Sequence, residues 1–181
     1  MSSSPHVIYL DFDGVLHPDP VRIEPGGELT LDQQYAGHQL FENAQLLTSL
    51  LHPYPSVSLV LATSWVPVLG YEAALKQLPA ALRARVIGST FDHGSYMHFS
   101  SVARGYQILA DSKRRGLKTW AALDDDARDW PRGHRKRLIQ TDKRLGLAAP
   151  GATEALSKWL LDASHLLPAS VSSQRRRYQR Q

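Results

Sequence analysis

The sequence contains no cysteine. That excludes disulfides and thiolate metal sites and fits a cytoplasmic protein. No apolar run approaches the roughly 18 residues needed to span a bilayer, so no membrane association is expected. Residues Met1–His6 carry neither a basic stretch nor a long apolar core, so no signal peptide is expected. None of the eight histidines stands at zinc-ligand spacing; His17, His93 and His98 are read as structural or solvent-facing. A broad excess of one charge is also missing. The formal net charge is +4, but Arg175, Arg176, Arg177 and Arg180 lie in a final dozen residues without a single acid. The other 17 bases match the 17 acids. A general argument from basicity to nucleic-acid binding therefore fails.

The 181 residues suffice for one domain with a sizeable core. Residues 1–168 are read as that domain, with a loop or small flap over the Pro- and Gly-rich stretch 17–38. Residues 169–181 are read as a disordered Arg-rich tail.

The chain is organised around Val7-Ile8-Tyr9-Leu10-Asp11-Phe12-Asp13-Gly14-Val15-Leu16. An apolar, partly β-branched run that ends in a turn signal reads as a buried parallel strand. Gly14 lets the backbone turn sharply beside a ligand. In open α/β sheets, ligands bind beyond the carboxyl ends of the strands, so Asp11 and Asp13 stand where chemistry is done.

Further along, Leu40, Ala44, Leu47 and Leu51 mark one face of a helix over 39–52, ended by Pro53 and Pro55. Val57–Ala62 reads as a second buried strand that runs into Thr63-Ser64-Trp65. Pro67 and Gly70 read as breaks, and 71–83 as a helix interrupted at Pro79. Arg85–Gly88 is a short third strand, and 89–100 an irregular loop. A helix over 101–115 places Val102, Tyr106 and Leu109 on one face and ends in cations followed by Gly116. Thr119–Leu123 is a fourth strand entering Asp124-Asp125-Asp126. Arg137–Thr141 is a fifth, and 153–163 a last amphipathic helix. Strand and helix alternating in this way imply a mostly parallel sheet in a three-layer α/β/α sandwich.

Three strand ends thus carry polar chemistry: Asp11 and Asp13, Thr63 and Ser64, Asp124 and Asp125. Here the chain resembles the haloacid dehalogenase (HAD) superfamily of phosphohydrolases. The matching features are Asp11-Phe12-Asp13-Gly14 after a strand, Leu61-Ala62-Thr63, and Leu123-Asp124-Asp125. Together they extend over roughly residues 6–163. Thr63-Ser64-Trp65, the Arg104 region and the Leu-Asp-Asp-Asp run look like the small HAD domains of "Swiss army knife" RNA-repair proteins.

The resemblance implies a Rossmannoid sheet without a large cap and Mg²⁺-dependent phosphomonoester hydrolysis through an aspartyl-phosphate. Asp11 would be the nucleophile and a metal ligand. Asp13 would be the general acid and base, touching the metal through its backbone carbonyl. Thr63 would bond a phosphoryl oxygen, with Ser64 nearby, and Asp124 and Asp125 would complete the metal site. Asp129 stands where many relatives keep a supporting acid. The third-motif cation is assigned to Arg104, at the start of a helix 20 residues before Asp124, over Lys113 and Lys118.

Blander readings stand beside these. Asp11 and Asp13 could be turn acids, Thr63 an N-cap, Asp124–Asp126 cap acids, and Arg104 a surface residue. Trp65 is either core packing or a platform for a substrate base. The basic stretch from Arg128 to Arg144 is either a solvated loop or an RNA-backbone surface. An open, capless site suits a phosphorylated RNA or DNA end, and equally a phosphoprotein. The alternative from another class is a non-catalytic module that binds phosphorylated ends. A receiver domain is disfavoured, since Ile87-Gly88 offers no acceptor Asp.

Overall fold

The computed structural model describes residues 6–91 and 101–165. The expected loop over 89–100 therefore falls largely outside the described residues, as do His93, His98 and the Arg-rich tail.

Five parallel strands form the main sheet: β1 (His6–Leu10), β4 (Val57–Leu61), β5 (Val86–Ser89), β6 (Trp120–Asp124) and β7 (Leu138–Gln140), in the order β5-β4-β1-β6-β7. All five residues of β1 are buried. A strand covered on both faces reads as a continuous apolar run rather than an alternation, which is why the sequence marks it so clearly. Ile8 and Leu10 point to one layer, where they meet α1 (Ala44–Leu51) and α6 (Pro150–His165) through Leu47, Leu51, Leu156 and Leu160. Val7 and Tyr9 point to the other, with Ile108 of α5 (Arg104–Arg114), Trp120 and Trp130. The result is the expected three-layer sandwich.

Several elements differ in detail from the sequence reading. The stretch 17–38 contains a hairpin, β2 (Val21–Ile23) against β3 (Leu29–Leu31). α1 starts at Ala44 rather than residue 39, because Phe41 adopts a left-handed φ of 60° that no helix accommodates. Pro67 does not break the chain. It sits in the first turn of α2 (Trp65–Leu69), where its missing N–H needs no partner. Gly70, at φ 92°, does end that helix before α3 (Tyr71–Lys76), and Pro79 separates α3 from α4 (Ala80–Arg83). α6 begins three residues earlier than expected, with Pro150 at its first position.

α5 is rotated relative to its expected face. Tyr106 is 52% exposed, while Gly105, Ile108, Asp111 and Ser112 are buried. A Cβ on Gly105 would come within 2.5 Å of Pro131 and 2.8 Å of Trp130. The helix therefore packs through small residues, which a search for apolar periodicity passes over. Its C-terminus closes with Gly116 N–H on the Lys113 carbonyl and Leu117 N–H on the Ser112 carbonyl, with Gly116 at φ 64°. Among the described residues no helix is long and apolar enough to cross a membrane.

Candidate active site

Strand register builds the centre of the site. Leu10 of β1 pairs with Leu61 of β4 and with Leu123 of β6. The next residues, Asp11 and Asp124, therefore stand side by side at the strand ends, and the Asp11 N–H bonds the Leu123 carbonyl at 3.1 Å. Chain order reverses around β1, which opens a crevice at these strand ends.

Asp11, Asp124 and Asp125 each offer a carboxylate oxygen within 4.8 Å of the others. Gly14 makes room for this. At φ 66° it takes a conformation that favours glycine, and a Cβ there would lie 2.4 Å from the Asp125 Cγ. Thr141 secures the turn by donating to the Gly14 carbonyl at 2.6 Å.

Such a trio is electrostatically costly without a cation. Burial pushes the Asp11 carboxyl up, and Arg104 opposes the shift. Burial and the charge of Asp11 push Asp124 well above the usual carboxylate range. Asp125 is pushed up to about 6, by burial first and then by Asp11 and Asp19, against the pull of Lys143. Asp124 Oδ2 is buried without a hydrogen-bond partner among the described residues. Close-set hard oxygens with spare lone pairs fit Mg²⁺.

Arg104 begins α5, and its Nη1 reaches to 3.2 Å from the Asp11 Oδ2. Burial works against its charge, but the fields of Asp11 and Asp124 outweigh it and raise its pKa. Nη1 is buried and has no well-aligned acceptor among the described residues, so it keeps capacity for another anionic oxygen. Lys113 and Lys118 are exposed. A second cation, which sequence reasoning missed, stands at the rim: Lys143 Nζ lies 3.3 Å from Asp19 and 3.9 Å from Asp125. It follows β7, and nothing in its spacing marks it.

Thr63 is buried at the end of β4, and its side-chain hydrogen bond favours the charged form of Asp11. Ser64 is exposed beside it, at the start of α2. Asp13 stands apart from the acidic trio. Its carboxylate accepts the Trp65 indole N–H, with both oxygens at 3.0 Å, and meets His17 Nε2 at 3.0 Å.

Trp65 is 5% exposed and packs edge-on against Phe12 and Phe41. The ring packs in the core and also borders a cleft beside Asp13, so both expected roles stay open to it. His17, read as structural or solvent-facing, is fully buried against Asp13. The available signal was its position four residues after Asp13. Asp129 is exposed, at φ 52°, and lies outside the trio.

A cleft of about 190 Å³ opens beside Asp13. Val21, Ile23 and Leu29 of the hairpin form one wall, and Val68 and Leu69 of α2 the other. Three arginines of the basic stretch after Asp126 are engaged within it or with the neighbouring strand. Arg128 pairs with Asp126, Arg135 bonds the Ala127 carbonyl and Gln140, and Arg137 bonds the Trp120 carbonyl and lies over its ring.

The family described as "HAD domain in Swiss Army Knife RNA repair proteins" matches residues 7–152. That span holds every residue of the site. No curated protein matches the chain. The chain belongs to this HAD family.

Proposed function

We propose that this member of the HAD family is a Mg²⁺-dependent phosphomonoesterase that works through a phosphorylated Asp11, with a phosphorylated RNA end as its substrate. The observation that carries the reading is the buried trio of Asp11, Asp124 and Asp125 with Arg104 set against Asp11. The RNA end rests on the family's description and on the open site.

Asp11, Asp124 and Asp125 would hold the ion, with the Asp13 backbone carbonyl. A bound divalent cation neutralises phosphoryl charge and fixes the ester for in-line attack. An Asp11 oxygen attacks phosphorus, and the bond from phosphorus to the ester oxygen breaks. Asp13 gives its proton to that departing oxygen. Arg104 and the Thr63 hydroxyl bond the phosphoryl oxygens where charge is spread, and Ser64 adds a further donor. Arg104 suits this task because its planar fork grips two oxygens at once. Asp13, now a carboxylate, takes a proton from water as the water oxygen attacks phosphorus. The acyl phosphate bond breaks, inorganic phosphate leaves and Asp11 is restored. The leaving group extends into the cleft between the hairpin and α2, because Asp13 forms part of its wall.

Hydrolysis of p-nitrophenyl phosphate with and without Mg²⁺, run beside Asp11→Asn, tests the chemistry. Metal-dependent turnover abolished by the substitution is expected. Oligonucleotides phosphorylated at the 3′ or 5′ end, compared with a phosphoserine peptide, then test the substrate class. Preference for the peptide would replace the RNA reading with that of a protein phosphatase. Tight binding of phosphorylated ends without turnover would replace it with that of a binding module.

A further inference from the structure

Asp13 is clamped from behind by two N–H donors, and the direction of one of them is set by a strained backbone. His17 Nε2 lies 3.0 Å from Asp13 Oδ1, and Trp65 Nε1 lies 3.0 Å from both oxygens. On the far side of the imidazole, the Phe41 backbone N–H points at His17 Nδ1 from 3.3 Å. A ring nitrogen that accepts a hydrogen bond carries no proton, so the imidazole proton must sit on Nε2, facing Asp13. The contact between His17 and Asp13 is then a directed hydrogen bond from a neutral ring rather than an ion pair.

Phe41 holds its N–H in place at a φ of 60°, which bulky residues rarely adopt. Its ring also packs on His17 at 4.8 Å and on Trp65 at 5.4 Å, edge to face. Phe41 and Trp65, themselves packed against Phe12, thus flank a fully buried histidine. A buried imidazole in an aromatic box needs partners for both nitrogens, and these two satisfy it. The imidazole cannot turn over without leaving both nitrogens mismatched.

We propose that His17 is a positioning residue: with its tautomer fixed by Phe41, it joins Trp65 in holding Asp13 Oδ1 and leaves Oδ2 as the oxygen that gives and takes the proton. Oδ1 receives two donors, whereas Oδ2 has only its share of the Trp65 N–H among the described residues. Side chains that hold a catalytic group within a fraction of an ångström govern its rate, because small displacements are costly. The catalytic half of this inference rests on the phosphatase reading above; the orienting half does not.

Two measurements on the full chain test it. The first compares kcat/KM, with saturating Mg²⁺, for β-glycerophosphate and p-nitrophenyl phosphate. The alkyl ester needs a proton on its leaving oxygen, whereas nitrophenolate departs without one. Because kcat/KM covers only steps through the first irreversible bond cleavage, the later attack by water does not enter. His17→Leu is expected to lower kcat/KM about 100-fold for β-glycerophosphate and under about threefold for p-nitrophenyl phosphate. His17→Gln, whose amide N–H reaches the place of Nε2, is expected to recover most of the loss. Equal losses on both esters, no loss, or no recovery with Gln would overturn the positioning role.

The second measurement is independent of activity. Nitrogen-15 spectra of the wild-type imidazole are expected to show a protonated Nε2 and an unprotonated Nδ1. A proton on Nδ1 overturns the inference whatever the enzyme does. If the wild type cleaves neither these esters nor phosphorylated oligonucleotides, the phosphatase reading falls by itself, and these spectra still decide the orientation of His17. If His17→Leu fails to fold, His17→Gln and the spectra carry the decision.

Discussion

Arg104 Nη1 stands 3.2 Å from Oδ2 of Asp11, bringing the first residue of α5 onto the end of the central strand. The contact selects one cation from a chain rich in them. Lys113 lies at the other end of the same helix, and Lys118 precedes β6. Removing a preorganised cation from a transition state costs about 100- to 1,000-fold in rate. Arg104→Ala should lower kcat/KM for p-nitrophenyl phosphate by about that factor, with Lys113→Ala close to wild type. Arg104→Lys should recover only part of the loss, because it restores charge without the two-pronged geometry. Steady-state kinetics on the three variants decide the matter.

Gly14 is where the turn and the acidic trio share one space. A methyl group there would meet the Asp125 side chain at 2.4 Å in a backbone conformation with φ 66°. Gly14→Ala should cost about 1–3 kcal/mol of stability from the backbone alone. It should also displace Asp125 and weaken Mg²⁺ binding. Thermal melts with and without Mg²⁺ read both effects: a lower Tm, and a smaller rise on adding the ion.

The Asp125 carboxyl, pushed up to about 6, gives a pH dependence whose sign is fixed. Without metal, the folded protein binds this proton more tightly than the unfolded chain, whose carboxyl stays near 3.8. Its contribution is therefore most favourable at low pH and declines as pH rises between those two values. Mg²⁺ competes with the same proton, so metal affinity should rise as pH passes through about 6. Titrations of Mg²⁺ followed by Tm at pH 5 and pH 7.5 check this, with the larger stabilisation expected at pH 7.5. Asp125→Asn should flatten the difference.

Mg²⁺ at 100 times its dissociation constant should stabilise the fold by about 2.7 kcal/mol. Asp124→Asn should remove most of that increment. Without metal it should be neutral or stabilising, because Asp124 Oδ2 is buried without a partner among the described residues and its charge is opposed by Asp11. Calorimetry of both proteins with EDTA and with Mg²⁺ separates the two effects.

A structural control lies further along α5, outside the acidic trio. Tyr9 donates to Asp111 at 2.8 Å, and Arg115 and Arg114 also pair with that carboxylate. Asp111→Ala would leave the buried Tyr9 hydroxyl and two guanidinium groups without it, at a cost of about 3–5 kcal/mol. Urea denaturation should report that loss, with Mg²⁺ affinity little changed, since Asp111 is outside the acidic trio.

The centre of this architecture was legible because its strands are buried on both faces. Val7–Leu10, Val57–Ala62 and Thr119–Leu123 read as apolar runs, and each runs into the residues that the register then brings together. Arg104 was legible from its place at a helix start. The face of α5 was not, because Gly105 and Ser112 are buried for their small size rather than their hydrophobicity. The start of α1 was hidden by a left-handed Phe41, which no propensity anticipates. That same residue explains why His17 was read only as structural or solvent-facing: its contacts depend on the Phe41 N–H and the Trp65 indole, and contacts between distant segments leave no periodic trace. Lys143 was missed for a similar reason, since only the turn after β7 brings it beside Asp19.

The most direct test of the central claim is to look for phosphate on Asp11. The Asp13→Asn variant should still accept a phosphoryl group from p-nitrophenyl phosphate but release it slowly, because the base for water is gone. Rapid acid quench with Mg²⁺ present, followed by mass spectrometry of the peptide carrying Asp11, is expected to find one phosphoryl group on that carboxylate. Wild-type turnover with no phosphoryl group on Asp11 in either protein would contradict the account, as would phosphate found on a different residue.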